Sequence, residues 1–261
     1  MTGPEAVRYA VAAGVATLTM DQPHNRNALT PALLGGLAGG LEAALADPAV
    51  RVIVLTHTGP AFCAGADLSG GRAAGPPRPG LADILAAVMD APKPVLARIA
   101  GHCLGGGVGL AAACDLSIAG DTARFGFTEV RLGVAPAIIS VVCLPKLRRA
   151  DALELFLSGE PISAGRAAAA GLITRAVPAG QLDAEVAAMT GRLVLGGPAA
   201  VAAAKRLVYD VPGLERGDAF TRTAELSASL FASAEAAEGI AAFRAKRPPS
   251  WVPPQPPGLP G

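Results

Sequence analysis

Residues 101–116, GHCLGGGVGLAAACDL, place five glycines among the first nine positions and then run into the helix-forming stretch Leu110–Ala113. A helix that starts on glycines presents backbone N–H groups with no side chain in front of them. A second stretch, GPAFCAGADL at 59–68, follows the apolar run RVIVLTH. It carries Ala64, Gly65 and Ala66 before Asp67, a good N-cap residue for a short helix. Two strand-to-helix turns built of small residues can aim two N–H donors at one point. Such a pair forms an oxyanion hole, which stabilises negative charge on a carbonyl oxygen, and a helix N-terminus adds its dipole. The residues must be small because the carbonyl has to come close to the backbone.

Other chemistries find less support. G-x-S-x-G, H-E-x-x-H and G-x-x-x-x-G-K-[ST] do not occur. His24, His57 and His102 are scattered, which argues against a histidine metal cage; His102 only neighbours the glycine run. Gly107-Val-Gly109-Leu-Ala-Ala112 imitates a dinucleotide fingerprint, with Glu129 twenty residues beyond Gly109. In such folds the acid ends the second strand. Here the strand DLSIA puts Asp121 at that place and Glu129 past it. Nicotinamide binding is therefore not expected.

The elements that must position these turns alternate. VRYAVAAGVATLTM predicts a hairpin around Ala13-Gly14, and RVIVLTH, PVLARIA and DLSIA predict buried strands. Between them, 30–46, 81–91 and 105–114 predict helices, so the class is α/β with parallel strands. The first helix contains Gly35, Gly36, Gly39 and Gly40, each weakening it by about 1 kcal/mol against alanine. ISAGRAAAAGLITRAV predicts a helix, a stop at Gly171 and a last short strand. After it, 181–195, 198–209 and 214–243 predict an appended helical region. The tail RPPSWVPPQPPGLPG cannot serve as helix or sheet interior and is expected to be disordered or extended. SGGRAAGPPRPG at 69–80 is either a lid or a tolerated surface insertion.

With 51% hydrophobic residues but only 4% aromatic, the core must be built of Ala, Val, Leu and Ile. A net charge of +1 gives no electrostatic case for nucleic acid or an anionic membrane surface. No apolar run reaches the roughly 18 residues a membrane span needs, and MTGPEAVRY has no signal pattern, so a cytoplasmic protein is expected. Cys63, Cys103, Cys114 and Cys143, with no C-x-x-C spacing, are expected to be buried free thiols.

FCAGADL, GHCLGGGVGLAAACDLSIA, ARFGFTEVRLGVAP and ISAGRAAAAGLITRAV, in this order and spacing, resemble the crotonase family, the enoyl-CoA hydratases and isomerases, over about residues 8–247. HNRNAL is similar to that family's N-terminal CoA-contacting segment. The resemblance implies a spiral of ββα turns with a helical C-terminal trimerisation region, assembled as a homotrimer or hexamer. It divides the chain into a core at 1–197, a helical region at 198–247 and a tail at 248–261. It implies that the N–H groups of Ala66 and Gly106 hold a thioester oxygen, and that the Ala64 backbone touches the adenine end of CoA. EGIAAFRAKR nominates Phe243 and Lys246 as contacts to a neighbouring subunit's CoA; helix packing and a solvated charge are the plainer account.

The family's hydratases set two glutamates at the reacting carbons. One position matches Glu129 and the other falls on Gly109, which puts hydration in doubt. A single acid/base suits a proton shuttle. Asp67, Asp115 and Asp121 are not at the matching place; Asp67 is expected to cap and Asp115 to bond structurally. The expected substrate is an acyl-CoA thioester, with CoA as part of the substrate and no separate cofactor or metal. The expected reaction is hydration of a 2-enoyl-CoA or double-bond isomerisation; decarboxylation, thioester hydrolysis, or ester binding with little catalysis are the alternatives. Gly109→Glu should raise hydration if the helix tolerates it.

Overall fold

The computed structural model describes residues 5–68 and 79–254. The segment 69–80, read as either a lid or a surface insertion, falls almost wholly outside them. The hairpin forms as predicted: β1 (Val7–Ala12) pairs antiparallel with β2 (Val15–Met20). Ala13 and Gly14 both take positive φ, 49° and 78°, the geometry of a two-residue hairpin turn. α1 (Pro31–Ala46) follows, capped by Thr30 Oγ1, which accepts the Leu33 N–H at 3.1 Å. Its glycines are partly explained by packing. A Cβ on Gly36 would lie 2.9 Å from Val7 Cγ2, and one on Gly40 2.9 Å from Leu18 Cδ2. Those two let the helix lie close on the hairpin, whereas Gly35 and Gly39 face open space.

The chain then repeats a pattern. β3 (Val52–His57) is followed by β4 (Ala61–Cys63) and α2 (Leu81–Asp90). β5 (Val95–Ile99) is followed by β6 (His102–Leu104) and α3 (Gly106–Ala113). β7 (Leu116–Gly120) is followed by β8 (Arg124–Gly126), then by α4 (Ala137–Cys143) and α5 (Arg149–Ser158). The first strand of each pair joins a large sheet and the second a small one, so the chain winds as a spiral of ββα turns. β9 (Ile162–Ser163), α6 (Ala164–Ala169) and β10 (Arg175–Val177) complete the sheets. The strand orders are β1-β2-β3-β5-β7-β10 and β4-β6-β8-β9. All pairs are parallel except β1 with β2 and β8 with β9. Strands as short as β4, β6 and β8 exist only through this long-range pairing, which local pattern does not register.

α7 (Leu182–Leu193), α8 (Pro198–Asp210), α9 (Arg216–Phe231) and α10 (Ala234–Arg244) form the helical region. The helix expected over 214–243 is two helices. Ser233 adopts an extended conformation and its hydroxyl accepts the Ala236 N–H at 3.1 Å, restarting the chain as α10. The described part of the tail, 248–254, packs on the core outside any helix or sheet. Trp251 Nε1 donates to Leu195 O at 3.0 Å, its ring lies over Gly239, and Pro253 packs on Gly14. Prolines are compatible with this packing because the segment joins no helix or sheet.

All four cysteines are buried free thiols. Burial pushes Cys63, Cys114 and Cys143 up to about 12, so they stay protonated near neutral pH. Asp115 is structural: its Oδ2 accepts the Val95 N–H at 2.8 Å and pairs with Lys205 Nζ at 2.9 Å. Lys205 also donates to Val88 O at 2.9 Å, tying α8 to the end of α2 and the start of β5. Burial raises the Asp115 carboxyl above its ordinary range despite this partner. Removing one member leaves the other charge stranded, so Lys205→Ala should lower unfolding free energy by about 3–5 kcal/mol. Urea denaturation would show this; a loss near zero would mean the pair does not anchor α8.

Candidate active site

The two small-residue turns meet. Gly65 has φ +88°, and a Cβ there would lie 3.1 Å from Leu104 O and 3.3 Å from the Gly106 nitrogen. Only glycine permits this approach. A loop over 22–30 holds the first turn in place. Leu29 donates its N–H to Gly65 O at 2.8 Å and forms a parallel bridge with Ala66. In such a bridge Leu29 bonds to the neighbours of Ala66, so the Ala66 N–H points to the other side. Arg26 O accepts the Ala64 N–H at 3.0 Å. Asn27, wholly buried, donates to Thr58 O and Ala61 O at 3.0 and 2.8 Å and accepts the Gln22 N–H at 2.8 Å.

Asn27 and Leu29 were not singled out by sequence reasoning. The available signal was HNRNAL, followed by the apolar helix, but nothing local announces that the loop clamps a turn some forty residues on.

α3 begins at Gly106, and the N–H groups of Gly106 and Gly107 reach no backbone acceptor among the described residues. Gly105, at φ +51° and ψ −125°, makes the sharp entry. The pocket in front is lined by Ala64, Ala66, Gly106, Glu129, Leu132 and Ile139, with sequence neighbours of these and with Leu29 and Leu81. Ala64, Ala66, Gly106 and Glu129 are thus brought together.

Glu129 sits on a 3-10 turn, Thr128–Leu132, which ends on Gly133 in the left-handed region. Arg131 braces that turn by pairing with Glu160 and donating to Ser158 O at 3.2 Å. The carboxylate comes against the entry to α3: a Cβ on Gly105 would lie 3.2 Å from Glu129 Oε1. Glu129 Oε2 is buried and has no hydrogen-bond partner among the described residues. Burial pushes this carboxyl above its ordinary value, offset only in part by its own N–H.

Gly109 is not in the pocket lining. A Cβ there would lie 2.9 Å from Ile139 Cβ, with Ile139 Cγ2 closer still, because α3 packs tightly on α4. The expected Gly109→Glu gain is therefore corrected: no side chain fits without moving α4. Phe243 and Lys246 lie on α10 and just beyond it, and the pocket of the same chain does not include them. Phe243 is 84% exposed.

His57 is buried and structural; its Nε2 accepts the Ala100 N–H at 3.0 Å. His102 lies exposed on β6, outside the pocket lining. Asp121 pins the segment after β10, accepting the Ala179 N–H at 3.1 Å. The helix that Asp67 was expected to cap lies outside the described residues.

Two small-residue turns that follow parallel strands and one desolvated carboxylate thus line a single pocket. The enoyl-CoA hydratase/isomerase family profile matches residues 10–254, and the chain belongs to that family. It is 35% identical over 245 residues to a Thermus thermophilus protein provisionally named enoyl-CoA hydratase, spanning 91% of this chain and 97% of that one. It is 33% identical over 244 residues to the 2,3-dehydroadipyl-CoA hydratase of Escherichia coli, spanning 91% and 94%. The crystal structure of an enoyl-CoA hydratase from Mycobacterium smegmatis superposes with a TM-score of 0.86 at 33% identity, covering 94% of this chain and 98% of that one.

Burial of the Glu129 carboxyl makes stability depend on pH. Its folded pKa lies above the unfolded one, so the native state binds the proton more tightly. Stability is then unaffected below both values and falls as pH rises through the window from the unfolded value near 4.5 upward. Glu129→Gln should raise the melting temperature at pH 7 and lose that advantage at pH 3. Equal melting temperatures at pH 7 would mean the carboxylate is solvated.

Proposed function

We propose that the protein acts on acyl-CoA thioesters: the Ala66 and Gly106 N–H groups hold the thioester oxygen while Glu129 moves a proton at the α carbon. Hydration of a 2-enoyl-CoA, or isomerisation of an acyl double bond between the β,γ and α,β positions, is the reaction. The observation that carries this reading is the buried, unpartnered Glu129 Oε2 in the pocket that Ala66 and Gly106 line. In hydration, water adds at the β carbon of a 2-enoyl-CoA while Glu129 takes the water's proton and returns one to the α carbon; in isomerisation, Glu129 takes the α proton of a 3-enoyl-CoA and returns it at the γ carbon. Either path sends charge onto the thioester oxygen, and donors already in place stabilise that charge as it develops. A carboxyl raised by burial exchanges protons more readily near neutral pH. The hydratase names of the relatives support a CoA thioester as the substrate.

In this reading CoA arrives as part of the substrate and no separate cofactor takes part. The Ala64 backbone contacts the adenine end. Phe243 and Lys246 reach the CoA of a neighbouring subunit, which requires a homotrimer or hexamer. The exposure of Phe220, Phe231 and Phe243 on the helical region supports assembly through that region. A cytoplasmic location belongs to the same proposal.

Glu129→Gln should retain binding of crotonyl-CoA and lose about 100- to 10,000-fold in turnover. Wild-type turnover in that variant would remove Glu129 from the chemistry. Binding without any conversion by the unaltered protein would favour a CoA-ester binding protein instead. In a thermal-shift assay CoA should raise the melting temperature and NAD should not; the reverse pattern would favour the dinucleotide reading of the glycine run.

A further inference from the structure

Gly105 and Gly109 lie four residues apart, so they share one face of the chain entering α3, about one helical turn apart. Each receives a side chain from outside the helix. The Glu129 carboxylate lies against the first and Ile139 against the second. Both line the same pocket, and Ile139 is only 2% exposed. Gly109 stands three residues beyond Gly106, about 4.5 Å along the helix axis. That displacement is comparable with the span from a thioester carbon to the β and γ carbons of its acyl group.

Ile139 cannot retreat. Gly109 has no side chain to move, the α3 backbone stands behind it, and a β-branched side chain on a helix has one strongly preferred rotamer. One edge of the lining is exposed among the described residues: Leu132 and Ile138 are 59% and 51% exposed. An unbranched chain can leave over that edge, whereas a second substituent on the β carbon meets Ile139.

We propose that Ile139 is a specificity-determining residue that limits the bulk an acyl-CoA can carry at its β carbon. This rests on the reading above, in which the thioester oxygen lies at Gly106 and the α carbon at Glu129. The preferred substrates are then acyl-CoA thioesters with a single carbon chain at that position.

The test compares crotonyl-CoA with 3-methylcrotonyl-CoA on the wild type, Ile139→Val and Ile139→Ala, reading kcat/KM for each ester and melting temperature for folding. One methyl group in an apolar pocket discriminates by about 10- to 200-fold. The ratio of branched to straight ester should therefore rise by about tenfold or more in Ile139→Ala, with a smaller rise in Ile139→Val. If Ile139→Ala fails to fold, Ile139→Val, which loses one methyl and keeps the branch, carries the comparison. An unchanged ratio in folded variants overturns the assignment. The Kd of both esters, measured in a Glu129→Gln background, separates the two levels of the argument. A shifted Kd ratio without turnover in the wild type would support Ile139 and overturn the catalytic reading. Turnover that Glu129→Gln abolishes, with neither ratio moved, would do the opposite.

Discussion

The approach of the Gly65 turn to the Gly106 nitrogen is the constraint on which the site depends. A side chain at 65 would begin 3.3 Å from that nitrogen, and the φ of +88° suits glycine alone. The two turns come from successive windings of the spiral, so their closeness depends on the parallel pairing of β4 with β6. The loop at 22–30 then fixes the first turn against the second through Asn27 and Leu29. The buried bonds of Asn27 hold that loop rigidly against Thr58 and Ala61, far along the chain.

The same packing sets the electrostatics. α3 is buried along its whole length and offers glycines on the face toward the pocket, so the groups on that face come from other segments. Glu129 arrives on a short 3-10 turn and Ile139 on α4. Among the described residues no cation pairs with this carboxylate, and desolvation dominates its pKa. Gly109 is small because α4 leaves no room there. Backbone and isoleucine interlock there.

The C-terminal helices follow a different logic. α8 is anchored to the core by a well-buried Lys205–Asp115 pair, while α9 and α10 leave large apolar side chains exposed, Phe220, Phe231 and Phe243 among them. Trp251 then brings the start of the tail back onto Leu195 and Gly239, so proline content alone did not decide that segment's fate.

Local sequence determined the hairpin at Ala13-Gly14, the helices at 31–46, 81–90 and 106–113, and the alternation that makes the class α/β, because turn chemistry and apolar period act over a few residues. It also singled out the two small-residue turns. Glu129 emerged from a motif, since nothing near it in the chain marks a carboxylate for burial. Tertiary structure alone decided the short strands of the second sheet, the clamp of Asn27, the break at Ser233 and the packed tail at 248–254. It also decided that the space beside Gly109 belongs to Ile139. Each of these rests on a residue far away in sequence, and a close approach between distant backbones leaves no periodicity to read.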